Sequence, residues 1–226
     1  YRAGLAARWL VNANGNSRKF VALEQPAVDF DLSVRSVMQS LQDFRVERYC
    51  FLSSIDVYDR AGDPAANRED AAVERRLLTP YGLHKSMAED LVRAHAPAWL
   101  ILRMGGFVGP GLRKNSIYDL LKGQPLRVHP DSQYQYLHTG RMAAIVLDLL
   151  QEGLQQDVFN AAGSGLVRIR DVAGLLPKPP AFAEGGPLER YEVNVEKLGR
   201  RTDLPPSRTT VEAFVRDVLA GRETLA

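Results

Sequence analysis

The chain has 226 residues, 29 of them basic and 27 acidic, for a formal charge of +2, which shows no bias toward nucleic acid or a membrane surface. One cysteine, Cys50, excludes a disulfide framework and fits a reducing, cytoplasmic compartment. A hydrophobic share of 45% is enough for a sizeable core, and no apolar run nears the ~18 residues of a spanning helix.

In chain order, Leu5, Ala6, Trp9 and Leu10 have helical spacing, and Asn12 to Ser17 is a turn rich in Asn and Gly. No signal peptide is legible at Tyr1, although a chain opening with tyrosine leaves room for residues upstream. Phe20 to Leu23 predicts a short apolar strand. Ser33 to Gln42 predicts a helix with Val34, Val37, Met38 and Leu41 on one face. Arg48 to Ser53 has little alternation, as expected of a strand covered on both faces. Arg60 to Arg76 is a polar excursion. Thr79 and Pro80 are the N-cap and first residue of a helix that continues through Ser86 to His95. Trp99 to Leu102 is another buried strand, followed by a glycine-rich run from Gly105 to Gly111.

The second half changes character. Ser116 to Lys122 is a short helix, and Pro125–His129 and Tyr134–His138 flank a predicted hairpin turn at Pro130 to Gln133. Thr139 to Glu152 is a helix stopped by Gly153, Val158 to Ala161 a strand, Pro177 to Pro180 a linker, and Tyr191 to Val195 a late strand. The last helix is predicted to open with a capping box, Thr209 and Glu212, and to bury Val211, Phe214, Val215, Val218 and Leu219. Alternating strands and helices imply an α/β fold with a parallel sheet.

The chemistry concentrates in two segments. Ser53-Ser54-Ile55-Asp56-Val57-Tyr58 ends a strand in hydroxyls, and Tyr81-Gly82-Leu83-His84-Lys85 places a phenol and an amine one helical turn apart. A free phenol titrates near 10. An ammonium beside it is expected to lower that value toward the range where proton transfer is efficient. A serine at the strand end can hold the same substrate oxygen. His84, His95, His129 and His138 lack metal-ligand spacing, and His84 reads as a surface residue or one behind the site.

Ser-Ser-x-x-Val-Tyr followed by Tyr-x-x-x-Lys resembles the extended short-chain dehydrogenases, the NAD-dependent epimerase/dehydratase family. The likeness continues through Leu102 to Gly111, Val158 to Gly163 and Tyr191 to Leu198. It implies a Rossmann-like, doubly wound parallel sheet with a smaller C-terminal substrate lobe. The core would take residues 1–111 and 139–163, and the lobe 112–138 and 164–226. It implies Ser54, four residues before Tyr58, as the catalytic hydroxyl, with Tyr81 as acid/base and Lys85 as its electrostatic partner. Ser53, Tyr81, Lys85, Met104 and Phe107 would border NAD or NADP, and Ser54, Asp56 and Tyr81 the substrate. Asp56 stands where family dehydratases often carry a glutamate, although a solvated loop aspartate reads equally well. Helix pairing through Ser33–Gln42 and Ser86–His95 would make a homodimer possible.

Two departures shape the expected activity. No G-x-x-G-x-x-G or G-x-G-x-x-G precedes Ser53, so the first strand, glycine loop and ribose acid of the family are not in this sequence. Phe20 to Leu23 has two placements: the second strand, with Glu24 as the acid that holds the adenine ribose, or, as preferred, the strand just before the serine strand, with Glu24 only bordering the cofactor site. On the substrate side, Gly106 stands where nucleotide-sugar enzymes often carry asparagine, and the arginine that grips a diphosphate is missing from its usual place. Arg113, Arg127 and Arg141 are the substitutes available, each reading more naturally as a solvated surface residue. The expectation is an NAD(P)-dependent oxidoreductase, epimerase or dehydratase acting on a hydroxylated or carbonyl compound, possible substrates including nucleotide sugars. The alternative is a nucleotide-sensing or scaffold protein that keeps the fold without turnover.

Overall fold

The computed structural model describes residues 5–178 and 180–226. In chain order the elements of the first half are β1 (Leu5–Asn12), α1 (Lys19–Glu24), α2 (Pro26–Phe30), a π-turn (Asp31–Arg35), α3 (Ser36–Asp43) and β2 (Phe44–Ser54). A 3-10 turn (Ile55–Val57), α4 (Pro80–His95) and β3 (Trp99–Met104) follow. The second half has β4 (Gly106–Val108), α5 (Ser116–Leu121), β5 (Gln133–Tyr134), β6 (Tyr136–His138), α6 (Thr139–Gln151) and β7 (Asp157–Ala161). It ends with β8 (Val167–Arg168), α7 (Ile169–Ala173), β9 (Arg190–Tyr191), α8 (Glu196–Gly199) and α9 (Ser207–Leu219). Among the described residues no helix is long and apolar enough to cross a membrane.

The chain divides into two compact units. The first runs to Ala61 and adds Ala66–Met104 and Leu147–Asn160. Its sheet has the order β1-β2-β3-β7, with β1–β2 and β2–β3 parallel. The β2–β3 register sets Ser53 opposite Arg103 and Ser54 opposite Met104, so the serine pair ends β2 level with the carboxyl end of β3. In open parallel sheets that edge is where ligands bind. Val37 of α3, Tyr49 and Phe51 of β2, Ala88 and Val92 of α4, and Ile101 of β3 form the core beneath it. Each such large apolar side chain contributes roughly 1.5–3 kcal/mol on burial. The second unit takes Gly62–Ala65, Gly105–Val146 and Ala161–Ala226, around a core that includes Ile117, Leu126, Tyr136, Ile169, Val211 and Phe214.

Several expected elements are corrected. The residues from Leu5 form a parallel strand, not a helix, pairing along β2 from Phe44 to Phe51. The apolar run there is too short for its period to decide between the two, and tertiary pairing decides it. Phe20 to Leu23 is helical, within α1, and the strand before the serine strand is therefore β1. Only Ala22 of α1 is buried, while Phe20 and Leu23 are exposed, so the segment has no sheet face to fill. The predicted hairpin at Pro130 to Gln133 does not form. β5 pairs with β8 and β9, and β6 pairs with β4, because Gln135 between them turns its amide onto Val193. The late strand shrinks to Arg190–Tyr191. The capping box is absent: α9 opens at Ser207 after Pro206, placing Thr209 inside the helix and pairing Glu212 with Arg208. Leu219 is exposed rather than buried. The predicted linker includes Pro179, which lies outside the described residues.

Candidate active site

β2 ends in Ser54, whose side chain caps the 3-10 turn that follows. Its hydroxyl accepts from the Asp56 amide at 3.2 Å and donates to Asp56 Oδ2 at 2.8 Å. α4 begins as the sequence predicts, with Thr79 Oγ1 accepting from the Gly82 amide at 3.2 Å and Pro80 in the first turn. This start is pressed against the serine turn. A Cβ on Gly82 would stand 2.0 Å from the Asp56 carbonyl oxygen, so only glycine allows the approach. Tyr81 and Lys85 emerge from the same face of α4, 8% and 5% exposed.

The structure brings Ser54, Asp56 and Tyr81 together, and adds Lys19 from the start of α1. Lys19 Nζ lies 2.6 Å from Asp56 Oδ1. The phenol of Tyr81 is pushed up to about 12, first by burial, then by the charge of Asp56, with Asp29 adding to it. A hydrogen bond with Ser54 and the charge of Lys19 act in the opposite direction. The sequence led us to expect Lys85 to lower this phenol; in the fold it is Lys19 that does so. Lys85 is itself brought down to about 8 by burial, against the charges of Asp29 and Glu89.

Lys85 Nζ makes no hydrogen bond among the described residues. It lies over the Phe51 ring, 5.2 Å from the centroid, and 3.1 Å from where a Cβ on Gly15 would stand. Gly15 has φ +126, which favours glycine and keeps that space open. Lys85 is thus a buried ammonium with unused donors, facing a glycine turn.

Ser53 is not brought to this group. Strand alternation turns it to the other face, where its hydroxyl donates to Glu89 at 2.7 Å. Met104 stands half-buried at the end of β3, beside Ser54 in the register, and Phe107 belongs to β4 in the second unit. Arg113 and Arg127 are exposed. Arg141 donates to Thr202 Oγ1 and, at 2.9 Å, to the Asp203 carbonyl, within the second unit. Gly106 cannot become asparagine without movement, because a Cβ there would stand 2.7 Å from the Gln135 carbonyl oxygen and 2.8 Å from the Tyr136 ring.

Sequence reasoning missed Lys19, Asp29 and the Glu89–Arg103 pair. Asp29 carried a usable signal: it lies four residues before Ser33 and eight before Val37, on the buried face of the helical segment. His84 is buried behind the site, its Nδ1 2.6 Å from Asp29 Oδ2.

The sequence profile of the NAD dependent epimerase/dehydratase family matches residues 9–162. A search of the curated proteins returns no significant match. Similar solved structures include TunA, an NAD dependent NDP-hexosamine 5,6-dehydratase involved in tunicamycin biosynthesis. It is 19% identical with a TM-score of 0.79, and the match covers 95% of this chain and 78% of that one. RMD from Pseudomonas aeruginosa, complexed with NADPH, is 20% identical with a TM-score of 0.77, covering 96% and 82%. A UDP-galactose 4-epimerase is 21% identical with a TM-score of 0.76, covering 95% and 78%.

Proposed function

The chain belongs to the NAD dependent epimerase/dehydratase family, and from that premise we propose that Tyr81, Lys85 and Ser54 perform its proton transfer on a hydroxylated or keto sugar. The observation that carries the reading is the convergence of Ser54, Asp56 and Tyr81 at the carboxyl edge of the sheet, with the free donors of Lys85 one turn along. NAD or NADP, when bound, supplies the hydride acceptor or donor. Lys85 is the residue suited to hold its ribose hydroxyls, with Met104 at the neighbouring strand end.

Each residue then has a definite task. Ser54 holds the substrate oxygen by a hydrogen bond, which requires its proton to turn away from Asp56. Tyr81 rests as the neutral phenol and donates its proton to a carbonyl oxygen as that oxygen gains charge. In the reverse direction the phenol must lose its proton, which the charge of Lys19 and the hydrogen bond with Ser54 favour. Asp56, between Ser54 and Lys19, is placed to take a second proton in a dehydratase.

A nucleotide sugar is the substrate class we favour, since a UDP-galactose epimerase and an NDP-hexosamine dehydratase share the fold. The first unit is read as the dinucleotide-binding core and the second as the substrate lobe. The test is Tyr81→Phe, assayed with NAD+ and NADP+ against a panel of UDP- and dTDP-sugars. We expect turnover to fall by about 10²–10⁴-fold while circular dichroism stays native. Unchanged turnover would overturn the assignment. Calorimetric cofactor binding by the wild type with no turnover across the panel would instead favour a nucleotide-sensing protein.

A further inference from the structure

Asp29 is wholly buried, and burying a carboxylate is costly unless it is paired. Its partners come from three places. Asn16, in the loop after β1, donates Nδ2 to Oδ1 at 2.7 Å. Ser33, in the π-turn, donates Oγ to Oδ1 at 3.3 Å. His84, on α4, donates Nδ1 to Oδ2 at 2.6 Å, with its ring set edge-on to Phe30 at 5.6 Å. π-turns inside helices occur often at functional sites, and this one lies between Asp29 and the regular turns of α3.

The residue after His84 is Lys85. Its ammonium and the Ser33 hydroxyl that holds Asp29 flank one point, 3.1 and 3.7 Å from where a Cβ on Gly15 would stand, so Lys85 faces the turn that carries Asp29. The groups acting on the ammonium are the Phe51 ring and the charges of Asp29 and Glu89, with Tyr81 one turn before it and the Lys19–Asp56 pair near that phenol. Glu89 is bonded by two guanidinium groups, those of Arg93 at 2.8 Å and Arg103 at 2.9 Å, so its charge is already answered. Two of Asp29's three donors, the Asn16 amide and the Ser33 hydroxyl, are neutral. We infer that Asp29 is a positioning residue of the proposed site: held by Asn16, Ser33 and His84, it is the counter-charge that keeps Lys85 an ammonium. The inference rests on the proposed place of Lys85 in the site, and Asp29 acts on the chemistry only through it.

The experiment reads Lys85 itself, without substrate or cofactor. Carbon-labelled lysine is followed by NMR across pH 6–11, the Lys85 signal being assigned by its loss in Lys85→Met. The wild-type midpoint is expected at about 8. Asp29→Asn, nearly identical in shape, should lower the proton affinity of Lys85 by about tenfold or more, and Asp29→Glu should largely restore it. A residue with a merely structural role would leave the midpoint in place. A folded Asp29→Asn protein whose midpoint stays within about 0.3 pH of wild type overturns the inference. If Asp29→Asn does not fold, Asn16→Ala decides: stripping a donor from Asp29 should raise the Lys85 midpoint, and an unmoved midpoint overturns it. A null result here leaves the Tyr81→Phe outcome standing, and loss of the Tyr81 assignment leaves this midpoint where it is.

Discussion

At the scale of single residues, the site is built at a cost. Lys85 titrates at about 8 in the fold against 10.5 for a free lysine, chiefly because burial disfavours its charge. Below pH 8 the unfolded and folded chains both carry the proton and the full penalty is present. Between 8 and 10.5 the unfolded chain binds more protons than the folded one, so stability rises with pH across that window. The displacement corresponds to about 3 kcal/mol. Lys85→Met, with its thioether against Phe51, should therefore be more stable than wild type at pH 7. We expect about 1–2 kcal/mol, less than the full figure because Asp29 loses its cation. The gain should shrink toward zero by about pH 10.5. Urea unfolding at both pH values checks this; a Met variant no more stable at pH 7 would contradict it. Stability gained by removing a functional group is a common mark of a site selected for chemistry.

At the scale of elements, the site depends on α4 starting hard against the Ser54–Val57 turn. Gly82 sets that distance, since a methyl there would meet the Asp56 carbonyl at 2.0 Å. Gly82→Ala must push the helix start from the turn, costing about 1–3 kcal/mol and separating Tyr81 from Ser54. Urea unfolding reads the cost, and wild-type stability would refute the close approach. The start of this helix was legible because Thr79 and Pro80 are strong local signals, as was the uninterrupted apolar run of β2. The first strand was not. Trp9 and Leu10 fit a helical face as well as a strand, and only pairing with β2 distinguishes them. Phe20–Leu23 failed for the related reason that a short apolar run says nothing about whether a sheet is there to receive it. The chemistry divided the same way. Tyr81 and Lys85 lie one helical turn apart, whereas Lys19 reaches Asp56 across 37 positions and Asp29 reaches His84 across 55. Neither burial nor charge from distant segments has a spacing rule, so the phenol's rise could not be read from its helix.

At the scale of the whole molecule, alternation of strands and helices was enough to anticipate the parallel sheet, but not what ties its elements together. In the first unit that tie is a buried polar network. Glu89 of α4 accepts from Arg103 of β3 through both oxygens, at 3.1 and 2.9 Å, and from Ser53 of β2 at 2.7 Å. Arg103 continues to the Tyr58 hydroxyl at 2.7 Å, and Tyr58 donates to Asn160 of β7 at 2.8 Å. Four elements thus share one chain of charge-assisted bonds beneath the serine pair. Burial pushes the Glu89 carboxyl up, but the hydrogen bonds and charge of Arg103 outweigh it and hold the group below its ordinary range. A depressed carboxylate stabilises the fold above its unfolded value of 4.5, and that stability is lost as pH falls through the folded value. Glu89→Gln leaves Arg103 a buried charge without its partner, which costs about 3–5 kcal/mol. At pH 7 the variant should unfold at markedly lower urea than wild type. As pH falls from 4.5 through the lower folded value the gap should narrow, because the unfolded wild-type chain takes up the proton first and the stability of the charged Glu89 is lost. A constant gap across that range would mean that Glu89 acts by shape rather than charge, and the network would then not be what joins these elements.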